Sequence, residues 1–438
     1  MSNTVTRGLV TFFLAFGILA FAQTDVTIAY MTGNRSEDVS IGQSYAQQYM
    51  DQNPHTIGGK EYNVTVNVLQ GPESATDRLG LYLQFFEAQS AEVDVMEIDV
   101  IWPGDLAEHL VDLYQYEGFE EAAGSYFPAI VENNTVDGAL VGIPYYVDAG
   151  LLYSRTDLLE EYGYDAPPTT WTELEEMATT IQEGERADNQ DFYGFVWQGE
   201  AYEGLTCDAL EWVKSFGGGE IISPDGVITL NNEQAVNAIS TAAGWVGTIS
   251  PEGVTGFQEE DARNLFQNGN AAFMRNWPYA YSLAQGDDSA VAGNVEISVL
   301  PSAEGAEPAA TLGGWQIGVN AYSNNPAVAA DFALYLTGAD VQLNNALERS
   351  LLPTIESVYE SEELLGSDVA WFADMLPVLQ NAVARPSTAS APQYGETSRI
   401  FFTAVHNVLT GSEDAETALE LAALDMQDLL GLEMGDPE

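Results

Sequence analysis

The chain has 438 residues, enough for two or three domains and a sizeable core, and at 46% hydrophobic it is not a disordered chain. It carries 67 acidic residues against 12 basic ones, a net charge of −55, which excludes a nucleic-acid partner because phosphate binding needs clustered Lys and Arg. Charge on that scale repels itself and is screened by salt, so two readings stand: saline surroundings, or the ordinary acidity of an exported protein.

In chain order, the first legible segment is a leader. Arg7 precedes an apolar run, Gly8 to Phe21, that closes on Ala20-Phe21-Ala22. Basic start, short apolar core and small-x-small ending make a secretory signal cleaved after Ala22. The run is shorter than the roughly 20 residues that span a bilayer, which weighs against the alternative of a retained anchor. No Cys stands at the cleavage site to carry a lipid, so the mature chain is expected to be soluble outside the cytoplasm.

Val26 to Tyr30 then predicts a strand, Ile41 to Asp51 a helix, and the alternating run Tyr62 to Val68 a second strand. Thr76 to Gln89 is a helix with Leu79, Leu83 and Phe86 on one face, and Val93 to Ile101 is a strand. This order predicts an α/β domain with a mainly parallel sheet. A second unit opens near Leu151. After Pro167-Pro168, Thr170 and Glu173 have the spacing of a capping box, and the helix runs to about Glu183. Val295 to Leu300 and Thr311 to Asn320 are further strands, and the chain from Val328 is mostly helical. No repeat or floppy linker interrupts it.

Enzyme signatures are absent: no nucleophile elbow, no P-loop, no dinucleotide fingerprint. Gly217-Gly218-Gly219 lacks the context of a nucleotide site and is expected to be a turn. Cys207 is the single cysteine, and His55, His109 and His406 have no ligand spacing, so neither a metal nor a cofactor is expected. What the chain has is carboxylates and aromatics, including 21 Tyr, 18 Phe and 8 Trp. A carboxylate offers two acceptor oxygens to adjacent hydroxyls, and a flat ring accepts the apolar face of a sugar. Most such residues only solvate a surface or fill a core, so position must select among them.

Asp99 closes an apolar strand ahead of Trp102-Pro103-Gly104, and a carboxylate at the carboxyl end of a parallel strand stands where open α/β sheets bind ligands. Tyr146 and Asp148 follow Gly142-Ile143-Pro144, Trp277 and Tyr279 flank Pro278, and Gly313-Gly314 precede Trp315. Arginine is scarce, so Arg78, Arg275 and Arg385 in largely uncharged segments are not surface decoration; Arg275 is expected to pair structurally with an acid.

At these motifs the chain resembles the trehalose/maltose-binding proteins of bacterial and archaeal ABC sugar importers. The matching stretches are Ile98 to Trp102, Ile143 to Tyr153, Gly194 to Gly199, Tyr202 to Asp208, Gly269 to Phe273, Arg275 to Ala280, Ala310 to Trp315, and Asn381-Ala382-Val383 with Arg385-Pro386. They run in family order over nearly all of the mature chain. The resemblance implies a two-lobed periplasmic-binding-protein fold of the maltose-binding-protein type, with three hinge segments and a sugar cleft between lobes. The lobes are expected at 23–145 with 292–324, and at 146–291 with 325–438. It implies Asp99, Tyr146, Asp148, Trp277, Tyr279, Gly314, Trp315 and Arg385 as sugar contacts, with Arg78, Asp38 and Tyr202 added. Asn34-Arg35-Ser36-Glu37-Asp38 departs from the pattern, leaving Glu37 as an alternative to Asp38. A monomer is expected that carries an α-linked glucose disaccharide to the membrane permease subunits of an importer. The rival readings are a secreted glycoside hydrolase using Asp99 and Asp148, and an adhesin-like or structural acidic protein.

Overall fold

A computed structural model describes residues 23–380 and 382–437. The expected leader, 1–22, and Asn381 of the last motif lie outside them.

Alternation in the first segment makes the central strand of the first lobe: β1 (Thr24–Thr32) buries Val26, Ile28 and Tyr30. It is followed by α1 (Ser36–Met50), β2 (His55–Ile57), β3 (Lys60–Gln70), α2 (Ala75–Glu87), β4 (Val95–Asp99) and β5 (Ile143–Ala149). Past Gly150 the chain enters a second lobe with β6 (Leu151–Arg155), α3 (Trp171–Glu185), β7 (Tyr193–Val196), α4 (Glu203–Ser215), α5 (Glu233–Trp245), α6 (Glu259–Gln267), β8 (Ala271–Asn276) and β9 (Val295–Ser298). It then returns through β10 (Leu312–Val319), α7 (Pro326–Leu336) and α8 (Ala339–Arg349), and ends with α9 (Tyr394–Leu409) and α10 (Ala415–Leu430).

The first sheet has the order β2-β3-β1-β4-β10-β5 and the second β9-β6-β8-β7. The first is mixed rather than mainly parallel. β1 runs parallel to β3 and β4, but β10 is antiparallel to both β4 and β5, and β2 to β3. The cause is a long-range return: β10 arrives from the other lobe, and no local pattern shows its direction.

The chain changes lobes between β5 and β6, between β9 and β10, and between Phe372 and Val383, which lie in different cores. Three of the expected boundaries are corrected by this. Residues 146–149 stay in the first sheet, and 295–298 join the second. The helices after 325 do not all belong to the second lobe, because α7 and α8 pack into the first core. Val328, Ala329, Phe332, Ala333 and Leu336 are buried there, with Phe332 edge-on to Tyr30 and Tyr49. α7 is apolar nearly all round, so its periodicity marks a buried helix without naming the core that buries it.

Two glycines hold the crossing together. A Cβ at Gly150 would lie 1.9 Å from Glu211 Oε1 and 2.6 Å from Arg275 Nη2. Gly314 has φ +123° and would bring a Cβ within 2.5 Å of the Tyr146 carbonyl. Among the described residues no helix is long and apolar enough to cross a membrane.

Candidate functional site

The sheet register assembles one wall of a cleft. On β10, Trp315 stands between Asp99 of β4 and Tyr146 of β5, and Gly313 opposes Asp148. Tyr146 and Asp148, two residues apart, share a face. The first turn of α2 adds Arg78, α1 adds Asp38, and the last residue of α8 adds Arg349. The facing wall comes from the second lobe: Tyr202 and Glu203 at the start of α4, Glu259 and Glu260 opening α6, and Trp277 and Tyr279 just after β8. Arg385 enters from the segment returning to α9.

All eleven residues singled out from the sequence line this one cleft, whose cavity measures 140 Å³. Of the two acidic alternatives, Asp38 is buried and faces the cleft, while Glu37 is not among its lining residues.

Three aromatic rings in the cleft carry a guanidinium at van der Waals distance. Arg78 lies 4.3 Å over Trp315, Arg275 4.0 Å over Trp277, and Arg35 4.3 Å over Tyr279. Trp315 is also held edge-on by Trp102 at 5.5 Å. Each tryptophan is thereby fixed from behind, and each remains only half-buried. Pinned, partly exposed rings are what a stacking ligand needs, because ordering them costs little on binding.

The polar groups are tied across the lobes. Arg385 donates from Nη2 to Asp99 Oδ1 and from Nη1 to Glu203 Oε1, each at 2.8 Å. Glu203 also accepts from Tyr394 Oη at 2.5 Å and Ser398 Oγ at 2.6 Å, and its backbone N–H reaches Thr76 Oγ1 at 3.2 Å. Arg275, only 1% exposed, binds Glu211, Asp208 and Gln198, the structural pairing its sequence context predicts. Among the described residues, several buried polar atoms of cleft-lining side chains have no protein partner: Asp148 Oδ1 and the Nε of Arg78, Arg349 and Arg385. The side chains that carry this acceptor and these three donors all line the one cleft, and polar groups of that kind are what a hydroxylated ligand bonds.

Burial, and then the charge of Asp99, pushes the Asp148 carboxyl up to about 7. The sign follows. Between about pH 4 and 7 the folded chain keeps a proton that the unfolded chain has lost, so this group's contribution falls as pH rises, by up to about 1.4 kcal/mol per unit. Asp148→Asn is therefore expected to gain on the wild type in stability by more than about 1 kcal/mol between pH 5 and pH 8. Urea unfolding at the two pH values measures it; equal differences at both would remove Asp148 as the source.

Sequence reasoning missed Arg35, Glu97, Glu203, Glu259, Glu260 and Arg349, all of which line the cleft. One available signal was basic-residue scarcity. Four of the chain's twelve basic residues, Arg35, Arg78, Arg349 and Arg385, line this single site. Cys207 also lines it, but burial raises its thiol far above the range of a nucleophile. Among the described residues no group of three His, Cys, Asp or Glu is placed to hold a metal.

A family model described as bacterial extracellular solute-binding protein matches residues 37–343. A probable ABC transporter-binding protein of Deinococcus radiodurans is 50% identical over 361 residues, covering 82% of this chain and 86% of the relative. Maltodextrin-binding protein MdxE of Bacillus subtilis is 25% identical over 336 residues, 74% of each chain. The structure of maltose-bound MalE3 from T. maritima superposes with a TM-score of 0.85 at 37% identity, covering 93% of this chain and all of that one. With more than half of its length matched by the family model and its two-lobed architecture shared with such a receptor, the chain belongs to the bacterial extracellular solute-binding proteins of ABC transporters.

Proposed function

We propose that the protein captures an α-linked glucose disaccharide of the trehalose/maltose class by lobe closure and delivers it, uncleaved, to the permease subunits of an ABC importer. On this reading residues 1–22 direct export and the mature chain works as a soluble monomer outside the cytoplasm. The observation that carries the reading is the opposition of Trp277 from one lobe to Trp315 from the other in a cleft lined by carboxylates and arginines. The maltose in the MalE3 structure supports the ligand class. A sugar touching both walls binds the closed form better and shifts the population toward it, which requires no covalent step.

One observation favours hydrolysis instead: the raised Asp148 carboxyl beside Asp99 resembles an acid paired with an ionised partner. Against it, both carboxyls come from the same lobe, on strands flanking β10 of one sheet. Asp99 is also spent on Arg385.

A thermal-shift screen of maltose, trehalose, sucrose and a β-linked control at molar salt tests the ligand class. At a hundred times Kd a ligand adds about 2.7 kcal/mol, a readable rise in Tm. No rise with any α-glucoside would remove the proposal.

Trp277→Ala and Trp315→Ala are each expected to lower affinity about 10–100-fold. Because both rings are half-buried, sugar-free melting should fall far less than for a core aromatic. Unchanged affinity with a large drop in Tm would make the rings structural.

A further inference from the structure

The rim of the cleft sets carboxylates of one lobe against those of the other. Glu73, between β3 and α2, and Glu259 and Glu260, opening α6, line it from opposite sides. Burial, then the charges of Glu260, Asp261, Glu259 and Glu200, raises the Glu73 carboxyl above its ordinary range. On a chain of net charge −55 this confrontation opposes closure, and a neutral ligand brings nothing to offset it.

Arg35 reaches across that rim. It caps α1, donates from Nη2 and Nε to the two oxygens of Asp38 at 2.6 and 3.0 Å, and lays its flat face on Tyr279 of the opposite lobe. Tyr279 in turn donates to Glu260 Oε1 at 2.6 Å. Asp38 is anchored from below by Arg349 Nη2 at 2.5 Å. The chain Arg349–Asp38–Arg35 thus belongs to the first lobe and ends on Tyr279 and Glu260 of the second. Burial works against the Asp38 charge, but Arg35 and Arg349 outweigh it and hold the carboxyl down at about 2, so the anchor stays ionised. A lysine would supply the charge without the fork for Asp38 or the plane for Tyr279.

We propose that Arg35 is a cross-cleft clasp, a positioning residue that stacks on Tyr279 and supplies the countercharge by which two acidic rims close on a neutral ligand. The proposal rests on the closure reading above.

The test reads lobe separation directly. Fluorescent labels are placed at Ser44→Cys on α1 and Leu421→Cys on α10, both exposed positions, and energy transfer is measured without sugar. At about 0.01 M salt Arg35→Ala is expected to shift toward wider separations than the labelled parent, and to return toward it at about 1 M. Arg35→Lys should fall between them, because it keeps charge and loses stacking. Maltose affinity of Arg35→Ala should drop about tenfold at low salt, mainly through faster release, and by less than about threefold at 1 M. Asp38 keeps Arg349 in these variants, so the fold should persist; should Arg35→Ala nonetheless unfold, Arg35→Gln carries the same measurement. Identical separations in variant and parent at low salt, or an opening that salt does not reverse, would overturn the clasp. Because separation is read without sugar, a failure of every disaccharide to bind would defeat the functional reading and leave this test standing.

Discussion

Arg275→Ala is expected to cost about 3–5 kcal/mol of folding stability, and added salt should not restore it. Arg275 is buried behind Trp277, with Nε on Glu211 Oε2 at 2.8 Å, Nη2 on Glu211 Oε1 at 2.5 Å and Nη1 on Gln198 Oε1 at 3.0 Å. Removing it strands Glu211 and Asp208, 1% and 0% exposed, with no other cation on them among the described residues. Burial already raises both carboxyls, so they would take up protons when the guanidinium goes, which caps the loss rather than cancelling it. Dissolved ions cannot screen a pair they cannot reach. The control is Arg399→Ala, whose bond to Glu396 lies 59% and 58% exposed; its effect should stay within about 0.5 kcal/mol. Urea unfolding of the three proteins at 0.1 and 1 M salt decides the matter. A loss under about 1 kcal/mol for Arg275→Ala would mean that the cluster is far better hydrated than its burial implies.

Sugar-free Tm is expected to climb on the order of 10 °C between dilute buffer and molar salt. With −55 charges on the chain, acidic side chains crowd the surface, and few basic ones offset them. The Debye length falls from about 30 Å at 0.01 M to about 3 Å at 1 M, which removes repulsion between carboxylates that do not touch. Affinity for a neutral sugar should rise with it, although binding of an uncharged ligand to a rigid site would ignore salt. The link is closure: both rims are acidic, and screening lowers the work of bringing them together. A flat response in both quantities would mean the acidity is that of an ordinary exported protein.

The sequence discloses what is local and leaves out what is long-range. The Thr170–Glu173 box forms as its spacing predicts, with Glu173 N–H on Thr170 Oγ1 at 3.1 Å and Thr170 N–H on Glu173 Oε2 at 3.2 Å. The glycine run is a turn, with Gly217 and Gly219 at φ +80° and +77°. α1 begins five residues earlier than periodicity predicts, because its cap is the pair Arg35 and Asp38 rather than a Ser or Thr. β4 ends at Asp99, so Val100 and Ile101, apolar enough to extend a strand, instead turn the chain. Within the site, Asp99 and Asp148 were legible because Asp99 closes an apolar strand and Asp148 stands as a lone charge in another apolar stretch. Arg349 and Glu203 were not, since their partners lie 311 and 182 residues away in sequence. The lobe assignment of α7 and α8 failed for the same reason: an apolar helix face states that it will be buried, and only the tertiary fold states against what.

Calorimetric titration of the mature protein with maltose and with trehalose in molar salt, followed by chromatography of the recovered sugar, tests the central claim most directly. We expect single-site binding of at least one of the two, with the disaccharide recovered intact after prolonged incubation. Release of glucose, or an absence of binding heat with either sugar and with sucrose, would contradict it.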